Sequence, residues 1–164
     1  MASIEMKTKV EQLDSNSSAF FRGYLQALGF SGRTEGTEDD SYDEPAFEGS
    51  GNFDDNWDVW QEVQDLISDT DLQQILDDIA GFLAGHYRGW TMTELIENDT
   101  KSGDDFEQAG TDFCLTRNRQ GAGFWDGDWE NGDVLTRTSK PFGTFNLVVC
   151  RDDDGGLIAV YFHG

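Results

Sequence analysis

Phe145-Asn146-Leu147-Val148-Val149-Cys150 and Leu157-Ile158-Ala159-Val160-Tyr161-Phe162 are two β-rich runs, and Asp152-Asp153-Asp154-Gly155-Gly156 lies in the join between them. Branched and aromatic residues fit a half-buried pleated surface, while the acid-and-glycine join favours a tight reversal. The stretch predicts an antiparallel hairpin at the C-terminal end. Lys140-Pro141 closes the segment before it, so residues 133–140 are expected to form a short helix stopped by the proline. Thr111 to Arg117 alternates, with Phe113 and Leu115 on one face, and is read as a further strand.

Toward the N-terminus the period changes. Leu72, Ile75, Leu76, Ile79, Phe82 and Leu83 recur at three and four, which predicts a helix ending near Ala84, with Gly85 as its C-terminal glycine. Val59, Val63, Leu66 and Ile67 predict another helix over 54–67, broken at Ser68-Asp69-Thr70-Asp71. Phe20, Phe21, Tyr24, Leu25 and Leu28 form one more apolar stripe, capped by Ser17 or Ser18 and ended by Gly29. Helices first and a sheet last give the fold class α+β, with N-terminal helices packed on a small C-terminal antiparallel sheet. The organisation read from the chain is an N-terminal helical segment at 1–30, an acidic loop or linker at 31–53, and an α+β core at 54–164, together forming a single domain.

The 164 residues carry 33 acids against 11 Lys and Arg, a formal net charge of -22. Its distribution is uneven. Residues 34–87 hold sixteen acids and no Lys or Arg, whereas residues 1–33 hold three acids and four bases. Such a chain repels nucleic acid and anionic membrane surfaces, so its expected partners are cations or basic proteins. No apolar run reaches membrane-spanning length and no signal-peptide pattern opens the chain, which places the expectation in a cytoplasm. Cys114 and Cys150 are then reduced thiols, read as small core residues.

The constellations that carry chemistry are weak. His86 and His163 have no ligand-spaced partner, and no phosphate-loop or nucleophile-elbow motif occurs. Asp126 to Gly132 imitates the start of a calcium loop but places Asn131 and Arg137 where glycine and a bidentate acid are required. No catalytic residue, metal or cofactor is therefore assigned. Trp125 and Trp129 are read as packing residues. Arg117 is expected to pair with Asp112, Asp126 or Asp128 and to help fix the sheet register. Gly121, Gly123 and Gly127 suggest close backbone approach or positive φ.

Asp58, Glu62, Asp65 and Asp69 recur at four, three and four. On one helix they would form a stripe with neighbours roughly 5–6 Å apart, a spacing at which like charges destabilise the helix. Lysines would relieve that repulsion and the block has none, so stability did not set the composition; the two readings are a protein-binding surface and an acidic surface for solubility or high salt. A row of carboxylates beside further acids approximates a row of phosphates. The candidate partner-binding set is Asp58, Glu62, Asp65 and Asp69, supported by Asp54, Asp55, Asp77 and Asp78.

The segment Ala109-Gly110-Thr111-Asp112-Phe113-Cys114-Leu115-Thr116-Arg117-Asn118-Arg119-Gln120-Gly121-Ala122-Gly123-Phe124-Trp125-Asp126-Gly127-Asp128-Trp129 resembles the core of a group of small acidic proteins from bacteriophages and other mobile elements. That core reads roughly AGHDFWLTRNGHGAGFWDG, followed by a short helix ending in FG and a hairpin. Lys140-Pro141-Phe142-Gly143 and residues 144–162 fit the tail, so the resemblance covers about residues 70–162. Thr111 and Gln120 stand where relatives carry histidines, and Cys114 where they carry a tryptophan. The resemblance implies a phage-type origin and no particular mechanism.

The reading that follows is a phage-encoded, non-enzymatic protein of the bacterial cytoplasm. It would act as a DNA-mimic-like inhibitor of a basic, nucleic-acid-binding host protein such as a restriction or CRISPR nuclease, a repair enzyme or a polymerase. It makes no direct contact with nucleic acid or membrane and is compatible with a homodimer. A second expectation is a small hydrolase or ligand-binding domain centred on the 117–129 turn, using Arg117, Trp125, Asp126, Asp128 and Trp129. A third is a virion or accessory structural protein.

Overall fold

The computed structural model describes residues 3–31, 33–34, 64–154 and 157–164. The fold is α+β. Helix α1 (Ile4–Glu11) starts at Ser3, whose hydroxyl accepts from the Met6 N–H. Helix α2 (Ser15–Ser31) starts earlier than its serines predict, because the Asp14 carboxylate accepts from the Ser17 N–H at 2.7 Å. It also continues through Gly29. Strand β1 (Arg33–Thr34) follows within the segment read as a loop.

Residues 64–66 are helical and Ile67-Ser68 are not, so the helix expected at 54–67 ends here; its first ten residues lie outside the described ones. Ser68 then caps α3 (Asp69–Leu83), whose buried stripe is Leu72, Ile75, Ile79, Phe82 and Leu83. Strands β2 (His86–Tyr87) and β3 (Trp90–Thr91) form a short antiparallel ladder. Their reversal places Arg88 and Gly89 at φ 50° and 85°, the paired left-handed geometry of a tight hairpin. Thr91 and Glu94 close a capping box on α4 (Met92–Glu97).

Helix α5 (Phe106–Arg117) overturns the strand read at 111–117. Phe106, Ala109, Gly110 and Phe113 share a helical face, but Asp112, Cys114, Leu115, Thr116 and Arg117 are buried as well. A helix buried on nearly every side has no polar face to reveal its period. Over the seven residues from 111 to 117, Phe113 and Leu115 satisfy a period of two equally well. The C-terminal half is therefore more helical than expected, and the sheet is confined to its end.

Two glycines let α5 sit against α2. A Cβ on Gly110 would overlap the Phe20 carbonyl, and one on Gly23 would overlap the Glu107 carbonyl. Only hydrogen fits there. Around this contact an aromatic core gathers Phe20, Tyr24, Phe82, Phe113 and Phe124, with the Phe82 and Phe113 rings stacked at 4.5 Å between centroids. Each ring fully removed from water contributes about 1.5–3 kcal/mol.

A 3-10 turn (Phe124–Asp126) leads to α6 (Gly132–Ser139), then a second 3-10 turn (Lys140–Phe142), then β4 (Asn146–Arg151) and β5 (Leu157–His163). The proline stop and both strands fall where the sequence places them. Register runs from Asn146 opposite His163 to Val149 opposite Val160, with an irregularity at Cys150/Arg151. Strand β1 pairs in parallel with β4, so the sheet is three-stranded and mixed, ordered β1-β4-β5. One hydrophobic cluster runs from Met6 on α1 to Val149 on β4.

Candidate functional site

The acidic set divides. Asp54, Asp55, Asp58 and Glu62 lie outside the described residues. Asp65, Asp69 and Asp77 are exposed. Asp65 and Asp69 do not share one helix, because Ser68 ends one segment and caps the next. They are instead gathered by α1. Lys7 Nζ meets Asp65 Oδ1 at 2.9 Å, and the Ser3 N–H donates to Asp69 Oδ1 at 2.7 Å. Lys9 Nζ donates to Gln73 Oε1 at 3.0 Å, and Gln73 donates in turn to Asp77. The lysines missing from the block arrive from a helix about sixty residues away. The Ser3 N–H, and less so its hydroxyl, holds the Asp69 carboxyl below the ordinary aspartate range.

Asp78 does not belong to a partner surface. Its side chain is 12% exposed, and Oδ2 meets Arg117 Nη1 at 2.8 Å while Oδ1 accepts from Gln74 Nε2 at 2.7 Å. It lies one turn from Ile75 and one from Phe82, on the apolar stripe of α3. A carboxylate on that stripe was the available signal that it turns inward.

Its partner Arg117 is likewise corrected. The expected partners were Asp112, Asp126 and Asp128; the acid it meets is Asp78. Its side chain is 2% exposed, so it is not open to a ligand. Nε donates to Gly143 O at 2.9 Å, Nη2 to Phe142 O at 3.1 Å and Nη1 to Tyr24 Oη at 3.1 Å. Phe113 and Phe145 lie on its flanks with centroids 5.5 and 5.6 Å from Cζ. Arg117 thus ties α2, α3 and α5 to the chain just ahead of β4. Burial pushes the Tyr24 hydroxyl pKa far up, so it stays protonated beside the guanidinium.

Asn118 completes the tie. Its Oδ1 accepts from the Phe145 N–H at 2.6 Å and its Nδ2 donates to Phe145 O at 3.4 Å. A side-chain amide here does what a neighbouring strand would do. Asp112, also buried, accepts from Trp129 Nε1 at 2.7 Å and from Gln108 Nε2 at 3.1 Å. Burial still raises its pKa above the ordinary value, against the pull of those two donors. Burial pushes the Cys114 thiol up to about 12, although nearby Arg117 opposes the shift.

The turn at 117–129 is shaped by packing. A Cβ on Gly123 would collide with the Thr116 hydroxyl, which accepts from the Phe124 N–H at 3.1 Å. Gly127 adopts φ 96°. Asp126 is exposed, yet its Oδ2 accepts from the Gly123 N–H at 2.9 Å. Asp128 is exposed, and its backbone carbonyl accepts from the Ser102 hydroxyl. Trp129 is buried as expected, whereas Trp125 is 51% exposed and is not packed away.

Asp99, a functional-looking acid with little sequence signal, braces the chain just after this turn. Its Oδ1 accepts from the N–H groups of Lys101, Ser102 and Glu130, and its Oδ2 from that of Asn131. Burial pushes its pKa up, but the backbone donors outweigh burial and hold it below the ordinary range. Asp-Thr-Lys-Ser-Gly resembles many surface turns, so its only sequence signal is Asp99 with Ser102 and Gly103 after it.

Among the described residues no three His, Cys, Asp or Glu side chains converge in the manner of a metal site. None of their helices is long and apolar enough to cross a membrane. Asp112, Arg117, Asn118, Gly123 and Trp129 thus have mostly folding contacts, each positioning another segment. No protein-family model matches the chain, and no curated protein or solved structure matches it.

Proposed function

We propose that this chain is a phage-type, non-enzymatic interaction protein that occupies the basic nucleic-acid cleft of a host protein in the bacterial cytoplasm. The observation that carries the reading is a block of acids with no base of its own. Residues 34–87 hold sixteen acids with no Lys or Arg, and Asp65, Asp69 and Asp77 from that block reach solvent. Self-repulsion of this size works against a compact state. A basic cleft would relieve it and release counterions from both surfaces. The ion pair that α1 offers Asp65 is half-exposed and contributes about 0–1 kcal/mol, so a basic partner displaces it at little cost.

The test is capture from nuclease-treated bacterial lysate, repeated at high salt and with added duplex DNA. One nucleic-acid-binding protein, released by either treatment, is the expected outcome. The variant carrying Asp58→Lys, Glu62→Lys, Asp65→Lys and Asp69→Lys keeps a native circular dichroism spectrum and loses that protein. Capture that survives the four reversals refutes the reading.

A further inference from the structure

The end of α5 holds an arginine where the backbone favours glycine. The Arg119 N–H donates to Thr116 O and the Gln120 N–H to Leu115 O, which closes the helix with Arg119 in the left-handed region at φ 57°. A side chain with a Cβ costs about 1–2 kcal/mol in that conformation. In a chain with 33 acids, Arg119 and Lys140 make no ion pair or ring contact, and donate no side-chain hydrogen bond, among the described residues. Both line one cavity of about 420 Å³, together with Thr116, Gln120 and the exposed Trp125. That volume is in the range of small-molecule sites, roughly 300–1,000 Å³.

We propose that this cavity binds a small anion of the mononucleotide kind, with its phosphate between Arg119 and Lys140 and its planar base against the Trp125 indole. A fork of guanidinium donors and an ammonium suit a phosphate. An exposed indole offers a stacking face, and the Gln120 amide can donate to and accept from a ring edge. The net charge of -22 sets the size of the ligand. Repulsion grows with ligand charge and acts beyond the cavity, over a screening length of about 8 Å. A mononucleotide carries its charge within reach of the two cations, whereas a longer strand extends past them and meets the repulsion of the chain's net charge of -22. The inference is independent of the acidic face proposed for a partner protein.

Calorimetric titration of the full chain with adenosine monophosphate, at physiological salt, tests it. Saturable binding is expected, with adenosine and inorganic phosphate each at least tenfold weaker. Arg119→Asn keeps the left-handed backbone, since asparagine tolerates it, and with Lys140→Ala each should weaken binding tenfold or more. Trp125→Leu should weaken it while removing the one perturbed indole N–H signal in the NMR spectrum. Thermal melts of the three surface variants should match the parent, which separates lost binding from lost fold. No saturable heat from any of the three probes overturns the proposal. So does binding that all three variants retain, phosphate binding as tight as the nucleotide, or a ten-nucleotide single strand that binds more tightly than the monophosphate.

Discussion

Replacing Asp78 by alanine should cost about 3 kcal/mol of stability, through Arg117 rather than through Asp78 itself. Breaking a buried ion pair from one side costs roughly 3–5 kcal/mol because the remaining charge is stranded. Here the remaining charge is the guanidinium, 2% exposed, while the site vacated by Asp78 is 12% exposed and admits some water. The Tyr24 hydroxyl and the Phe142 and Gly143 carbonyls still accept from Arg117, so the loss falls at the lower end of the range. For a chain of this size that loss lowers Tm by about 6–12 °C. Arg117→Met should cost more, about 4 kcal/mol, because it also leaves two carbonyls and a hydroxyl without their donor. The double variant decides between a coupled pair and two separate packing losses. Urea unfolding of the parent, both single variants and the double variant should give a coupling of about 2 kcal/mol, the double variant being less damaged than the sum. Losses that add to within about 0.5 kcal/mol would refute the ion pair as the reason for burying these two groups.

Gly110→Ala should destabilise the protein by more than about 2 kcal/mol in the same urea assay, since backbone rather than a flexible side chain stands in the way. Gly127→Ala has open space around it and should lose only about 1 kcal/mol, from its φ of 96°. Asp99→Ala should cost about 2–3 kcal/mol at neutral pH by leaving four backbone donors unpaired. Because the folded pKa of Asp99 is depressed, its contribution is present above the ordinary aspartate value of 3.8 and is lost as pH falls through the folded value. Thermal melts across that window should therefore show a flatter acid limb in the variant. With Cys150→Ser removing the other thiol, Cys114 should react with a thiol reagent at pH 8 only at the rate of unfolding. A pKa of about 12 leaves roughly one thiolate in ten thousand at that pH.

The elements legible in the sequence were those that expose one face. The stripe of α3, the proline-stopped α6 and the β4–β5 hairpin each carry a contrast between buried and solvated positions, and all three form where read. Helix α5 lacks that contrast, and a seven-residue window fitted the wrong period to it. The same reason hid the role of Arg117. Its nearby acids in sequence lie on its own helix and on the loop after it, but Asp78 comes from α3, thirty-nine positions earlier, and only packing brings them together. Trp125 and Trp129 could not be told apart by type: one indole finds a buried acceptor in Asp112, while the other is half-exposed and finds no acceptor among the described residues. Arg119 and Lys140 are twenty-one residues apart, so the cavity they share had no local signature.

The glycine contact between α2 and α5 also sets how the chain responds to being cut. Thr111 Oγ donates to the Gly23 carbonyl across 88 positions of sequence, so two helices packed too closely for a Cβ between them belong to opposite sides of the acidic block. The chain divided between Thr34 and Gln64 would give two fragments, one carrying α1 and α2, the other carrying everything from α3 onward. Phe20 and Tyr24 would still complete the ring cluster of the larger piece, and Tyr24 would still receive Arg117. The nicked protein should remain assembled as a noncovalent pair, and the two fragments, made separately and mixed, should restore the native fold with a concentration-dependent midpoint.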